Sequence, residues 1–375
     1  MNNIDNMLRR IAKELEISKT EFDKAVQSYG AVGTYLDNNI PEYDIRVVPQ
    51  GSFSLGTVIK PITDKDEYDI DLVAIIENQF SSARELKNIV GDALKASDRY
   101  SDKLKEGKRC WTIEYADSSQ YHMDILPTMK SSTYSSNKKL IMTHKESENS
   151  DYEFRTTNPE AYYEWFTKKM EKEKKKLTEE YAIRNKVEIV DVPEYEVKTT
   201  LQIAIEILKR YRDIKFQHNP EIKPISIILT TLMAEIYTGE ENVYELIEKF
   251  SRDYTKYLEK DEKGNIVIKN PVNSDENFAD KWQVYPERKE AFFEFMTQLR
   301  NEVVTNKILL EGHQVEQAKV YKTLFGENMM NKVYEKKANE TRVAREKGEV
   351  YLKENGNITT ERTEIKVKNH NFYGK

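Results

Sequence analysis

Two aspartates one residue apart, Asp69-Ile70-Asp71, stand at the head of the apolar run Leu72-Val73-Ala74-Ile75-Ile76. Side chains alternate along a strand, so both carboxylates project from one face. A surface strand with polar alternation fits the spacing, but the apolar neighbours fit a buried strand better. Buried side by side, two carboxylates repel unless a cation lies between them. An oxygen-only site of this kind suits Mg²⁺ or Mn²⁺. Upstream, Gln50-Gly51-Ser52 follows the short strand-like segment Tyr43 to Val48, and Asp69 comes 17 residues after Ser52. Small residues there let backbone amides approach a polyphosphate. A phosphate loop followed by a metal-carboxylate strand reads as nucleotidyl transfer.

Such a site needs a third carboxylate. Asp124 is the candidate, in the apolar, strand-like run Tyr121 to Leu126. Trp111 to Tyr115 reads as the preceding strand, joined to it through the polar turn Ala116 to Ser119.

The remaining pattern is mostly helical. Leu8, Ile11 and Leu15 share one stripe, and Ser18 with Glu21 forms a capping box ahead of Phe22, Val26 and Tyr29. A helix is expected over roughly Ala83 to Ser97. Residues 130–157, rich in Ser, Lys and Asn, read as loop. Asn158-Pro159 starts the next helix, with Asn as cap and Pro in the first turn. Its run Lys168 to Lys176 is interleaved with Glu171 and Glu173 and reads as a solvated face rather than a nucleic-acid contact. Val192-Pro193 marks the expected lobe boundary. Val197, Leu201, Ala204, Leu208 and Tyr211 then form an apolar stripe, and Pro224 to Tyr237 is a further helix. Asp261 to Ile268 reads as a small hairpin or loop, and helices resume after Pro286 and run, with breaks, to about Lys347.

The chain has 375 residues, 38% of them hydrophobic and 33% charged, with a net charge of −6. A mean hydropathy of −0.77 is polar but compatible with a packed enzyme. The charge balance speaks against a broad nucleic-acid-binding surface. A single cysteine, Cys110, excludes an intrachain disulfide framework and a cysteine-based zinc site. No signal peptide or bilayer-length apolar run is evident, so a cytoplasmic enzyme with no membrane contact is expected.

With these residues in hand, the chain resembles the polymerase-β-type nucleotidyltransferases, and more closely the bacterial cGAS/DncV-like nucleotidyltransferases (CD-NTases), relatives of animal oligoadenylate synthases. Four segments carry the resemblance: Gly51 to Thr57 with Asp69, Asp71 and Asp124; Leu201 to Asp213; Lys223 to Leu229; and Asn270 to Trp282. It implies an α+β fold in which a polymerase-β-like core with a mixed sheet packs against a helical, oligoadenylate-synthase-like lobe. The expected division is a spine helix over residues 1–40, a catalytic core over 41–193, a helical lobe over 194–350 and a mobile tail over 351–375.

By that resemblance Asp69, Asp71 and Asp124 hold two Mg²⁺ ions, Mn²⁺ being an alternative. Gln50, Gly51, Ser52, Lys209, Ser226 and Asn277 bind nucleotide, with Lys209 and Ser226 directed at the triphosphate. Nucleoside triphosphates, ATP and also GTP, are condensed into a cyclic di- or trinucleotide second messenger for anti-phage (CBASS) defence. The tail, Asn371 to Gly374, resembles tails captured by a ubiquitin-transfer-like partner. No sequence-specific nucleic acid is expected. A linear oligonucleotide or tRNA-type transferase shares the first motif, and a non-catalytic nucleotide-binding scaffold is the alternative of another class.

Overall fold

The computed structural model describes residues 3–63, 68–115, 121–131, 140–147, 149–352, 358–359 and 365–367. The turn expected over Ala116 to Ser119 and the tail Asn371 to Gly374 lie outside the described residues. Backbone contacts divide the chain into two compact units, residues 1–310 and 311–375. Among the described residues no helix is long and apolar enough to cross a membrane.

The first unit opens with α1 (Asn3–Leu15) and α2 (Lys19–Asn39). Leu8, Ile11 and Leu15 are fully buried, and the Ser18–Glu21 capping box starts α2. A seven-stranded sheet follows, built from β1 (Ile45–Pro49), β2 (Tyr68–Ile76), β3 (Leu104–Glu106), β4 (Trp111–Glu114), β5 (Tyr121–Lys130), β6 (Leu140–His144) and β7 (Glu153–Thr157). Its main path runs β1-β2-β5-β4-β3, with β6 on the far end of β5 and β7 beyond it. Only β2 and β5 run parallel; the other neighbours are antiparallel. A parallel pair requires a crossover, and α4 (Ala83–Lys95) lies in it. The short α3 (Gly51–Ser54) sits between β1 and β2.

Residues 130–157 differ from the expected loop. Leu140, Met142, Thr143 and His144 are buried in β6, which pairs with β5 and β7. Five-residue strands in a polar sequence leave too short an alternation to stand out.

The helical half contains α5 (Pro159–Asn185), α6 (Thr200–Lys215), α7 (Ser226–Ile236), α8 (Val243–Asp253) and α9 (Pro286–Leu299). Small ladders β8 (Glu259–Lys260) with β9 (Ile266–Val267), and β10 (Lys269–Asn270) with β11 (Asn273–Asn277), lie before α9. Asp5, fully buried on α1, accepts the Val243 backbone N–H at 2.7 Å and so docks α1 on the start of α8. A carboxylate there also complements the helix dipole. The expected solvated face of α5 is only partly so. Glu173 accepts from the backbone N–H and hydroxyl of Thr200 and from the Tyr237 hydroxyl, and Lys169 pairs with Glu235 at 2.8 Å.

In the second unit, helices Gln314–Phe325 and Glu327–Glu346 form a hairpin turned at Gly326.

Gly91 sits where α4 lies flat on the Trp111 indole. A Cβ there would come within 2.1 Å of Trp111 Cζ2, while the indole N–H donates to the Lys87 carbonyl at 2.9 Å. In an open helix Gly→Ala stabilises by roughly 1 kcal/mol. Here the sign reverses, because overpacking costs about 1–3 kcal/mol. Gly91→Ala should lower the urea midpoint; an equal or higher midpoint would show that the indole yields freely.

Candidate active site

The parallel pairing of β2 with β5 sets Asp71 opposite Asp124 and Asp69 opposite His122. On the other side of β5, Thr112 lies opposite Asp124 and donates its hydroxyl to Asp124 Oδ1. His122 Nε2 stands 3.1 Å from Asp69 Oδ1. The alternation of β2 buries Tyr68, Ile70 and Leu72 and leaves Asp69 exposed and Asp71 half-buried on the opposite face. The three carboxylates feel one another. Burial, followed by the charges of Asp69 and Asp124, pushes Asp71 up to about 7. Burial also raises Asp69, an effect the His122 charge opposes.

Gly51 fits against Asp71. Its φ is +62°, a left-handed value that favours glycine, and a Cβ there would lie 2.2 Å from Asp71 Oδ2. The preceding Gln50 N–H donates to the Asp71 carbonyl at 2.8 Å. The small-residue segment is therefore seated directly on the acidic strand.

Two cavities meet here, both bordered by Gly51, Leu55, Asp71 and Ile227. The first, about 650 Å³, brings together Ser52, Asp69, Lys209, Lys223 and Ser226. The second, about 900 Å³, is lined by Gln50, Arg109, Tyr162, Glu276 and Asn277 among others. Asp124 lines neither and lies one strand behind Asp71.

Lys209 is not on an open helix face. It is 6% exposed, and its ammonium donates to the Thr57 carbonyl at 2.8 Å. Burial, then the charge of Arg212, lowers it to about 8. Ser226 is the first residue of α7 rather than its cap, and its hydroxyl accepts from Arg212 Nη1 at 2.6 Å. Arg212 and Lys223 converge on Asp213 at 2.6 and 3.2 Å, so three cations crowd this cavity. Arg212 was not singled out from the sequence, although its place three residues after Lys209 puts it on the same face. Asn277 uses its side-chain oxygen to accept from the Ile268 and Ala279 backbone N–H groups at 3.0 and 2.9 Å. That fixes the turn after β11, and Asn277 lines the second cavity.

Among the described residues, no three Asp, Glu, His or Cys groups are already arranged around one metal position. The carboxylates are held by Thr112 and His122 instead. The donor set still suits a hard cation: three oxygen ligands at adjoining strand positions, mutually repelling, with Asp71 raised by burial and then by that repulsion.

Known proteins share the sequence pattern and the fold of this chain. Residues 1–169 match the Second Messenger Oligonucleotide or Dinucleotide Synthetase domain. A c-di-GMP synthase of Roseivirga ehrenbergii is 31% identical over 345 residues, covering 89% of this chain and 87% of that protein. The chain belongs to the bacterial CD-NTase family. It is a nucleotidyltransferase with an α+β fold. The cyclic dinucleotide synthase CdnG of Bradyrhizobium diazoefficiens is 23% identical over 295 residues, 74% of this chain and 70% of that protein. The structure of the Bradyrhizobium CdnG in complex with GTP superposes with a TM-score of 0.70 at 20% identity, covering 89% of this chain and 99% of that one.

In this CD-NTase the seat of Gly51 is stringent. Gly51→Ala must adopt a left-handed backbone, costing about 1–2 kcal/mol, and must displace Asp71. The expected outcome is at least a hundredfold fall in turnover with a modest drop in melting temperature. Activity within threefold of wild type would show that the acidic strand tolerates the shift.

Proposed function

We propose that this protein condenses nucleoside triphosphates into a cyclic dinucleotide, with GTP among its substrates. The observation that carries the reading is the pair of cavities that share Asp71 and Gly51, one of them rich in cations. A triphosphate in the first cavity meets Lys209, Lys223 and Arg212. Of these, only Lys209 has its charge set against a backbone carbonyl rather than a carboxylate. A second nucleotide in the other cavity approaches the same aspartate from the opposite side. Its sugar hydroxyl can then face the first nucleotide's α-phosphorus. The linear product, turned about within the two cavities, can be joined again to close a ring. Little covalent work falls to the protein; positioning and charge neutralisation do most of it.

Asp69, Asp71 and Asp124 would hold Mg²⁺, which when bound neutralises triphosphate charge and makes the attacking hydroxyl more acidic. Thr112 holds Asp124, and His122 holds Asp69, so the carboxylates are oriented by their own neighbours. Family membership supports three further assignments: ATP as a second substrate, a cytoplasmic enzyme, and a role in anti-phage (CBASS) signalling. A ubiquitin-transfer-like partner for the C-terminal tail rests on the tail sequence.

Incubation of the purified chain with four labelled nucleoside triphosphates and Mg²⁺ decides among the readings. A phosphatase-resistant product indicates a ring, a ladder indicates linear polymerisation, and the absence of product indicates a binding protein. Asp69→Asn with Asp71→Asn should abolish product. Without Mg²⁺ its melting temperature should hold or rise, because like charges are removed; retained synthesis would refute the metal assignment.

Lys209 gives a pH test. Its ammonium is lowered to about 8, so the charge offered to a triphosphate fades as pH rises through that value. The KM for nucleotide should therefore climb between pH 7 and 9, and Lys209→Arg, whose guanidinium stays charged, should abolish the climb. Lys209→Ala should raise KM at neutral pH by about 10- to 150-fold, the loss of one charge-assisted contact of ~1.5–3 kcal/mol. An unchanged KM would leave Lys209 with only its Thr57 bond.

A further inference from the structure

The second cavity contains a cation and an anion with unused bonding capacity. Arg109 lies just ahead of β4, and its Nε donates to Nδ1 of His144 at 3.1 Å. An arginine Nε–H is always a donor, so that imidazole nitrogen must be unprotonated. His144 is 3% exposed, and its other nitrogen stands 3.2 Å from Glu146 Oε2, to which it donates. Burial and the neighbouring charges of Arg109 and Arg155 keep this imidazole below its ordinary value, consistent with a neutral spacer. The Arg109 guanidinium is thereby held in one plane. Neither of its Nη groups has a hydrogen bond or ion pair among the described residues.

Glu276, on β11, lines the same cavity. Asn270 Nδ2 donates to its Oε2 at 2.8 Å, and Oε1 has no partner among the described residues. Burial raises this carboxyl, while Asn270 and the Arg109 charge pull it back.

A guanine presents adjoining acceptors, N7 and O6, and then adjoining donors, N1–H and the 2-amino group. Adenine places a donor where guanine has O6 and an acceptor where guanine has N1–H. A planar guanidinium and a carboxylate lining one cavity therefore match guanine and oppose adenine. We propose that Arg109 and Glu276 read the guanine of the nucleotide in the second cavity, with His144 as the positioning residue that orients Arg109. This rests on the reading of the protein as a synthase that uses GTP.

The test is binding by calorimetry to the full-length chain, with unreactive α,β-methylene analogues of GTP, ATP, 7-deaza-GTP and ITP, alongside product assays with the natural triphosphates. Wild type should bind the guanine analogue more tightly than the adenine one by about 5- to 150-fold, the range for one good bidentate contact. The 7-deaza analogue lacks N7 and should lose affinity in wild type, and that loss should vanish in Arg109→Ala. The inosine analogue lacks the 2-amino group and should bind more weakly in wild type, and Glu276→Gln should shrink that difference. Arg109→Lys, which keeps the charge without the fork, serves if the alanine variant unfolds, and it should show the same insensitivity to N7.

Equal weakening of the guanine and adenine analogues by the Arg109 variants would assign Arg109 to phosphate or to structure and overturn the proposal. Full binding of the 7-deaza analogue by wild type would do the same. Guanine-selective binding without any cyclic product would overturn the synthase reading and leave the guanine pair standing. A ring made with no base preference traceable to this pair would overturn the pair alone.

Discussion

The site depends on how one helix treats a stretch of chain that has no sheet partner. Residues 55–61, between α3 and β2, form neither helix nor strand. Backbone carbonyls in such a segment must find donors when they are buried. Helix α6 supplies them. Gln202 donates to Leu55 O at 2.9 Å, Lys209 to Thr57 O at 2.8 Å, and Arg210 to Lys60 O and Pro61 O at 2.6 and 3.1 Å. Positions 202, 209 and 210 are two turns apart and so share a face. The opposite stripe, Leu201, Ala204, Leu208 and Tyr211, is fully buried. A helix that is apolar on one side and hydrogen-bonded on the other can be buried all round, as residues 200–212 are. It joins the small-residue segment to the helical half without a covalent link, and it brings Lys209 to the acidic strand.

The other determinant is register. Strand pairing has a period of two, so slipping β2 by one residue against β5 would turn both aspartates into the core. The buried neighbours Ile70, Leu72, Met123 and Ile125 make that slip costly. Register therefore fixes Asp71 beside Asp124, and the glycine before Ser52 is fixed in turn by lying against Asp71.

These two determinants explain which parts were legible in the sequence. The acidic strand, the capping box on α2, the Asn-Pro start of α5 and the apolar stripe of α6 are local patterns, and each is found where it was read. What escaped was set by tertiary contact. Strands β6 and β7 are five residues each, and only pairing, of β6 with β5 and of β7 with β6, identifies them. Lys209 reads as directed at the triphosphate, but its bond to a carbonyl 152 positions away leaves no trace in the helix's own periodicity. Ser226 reads as directed at the triphosphate; its hydroxyl accepts from Arg212, a bond set by tertiary contact. Arg109 carried no motif at all; its role rests on His144, 35 residues away.

The same helix that builds the site also loads it with electrostatic cost. Glu206 is fully buried, with one oxygen on Lys198 and Oε2 unpartnered. Burial raises it to about 7. A carboxyl raised on folding takes up protons in the folded state, so its contribution to stability falls as pH climbs from the ordinary carboxylate range through 7. Lys209, one turn along, is lowered to about 8, so its penalty is present below that value and is relieved only as pH rises toward the ordinary lysine range. Between about 7 and 8 both groups are largely charged and both penalties stand. On the proposed reading, a triphosphate beside Lys209 would supply the counter-charge that the fold withholds. Of the three cations at the first cavity, Lys209 alone has a backbone carbonyl rather than a carboxylate as its partner, on the side of Gly51 where the acidic strand begins.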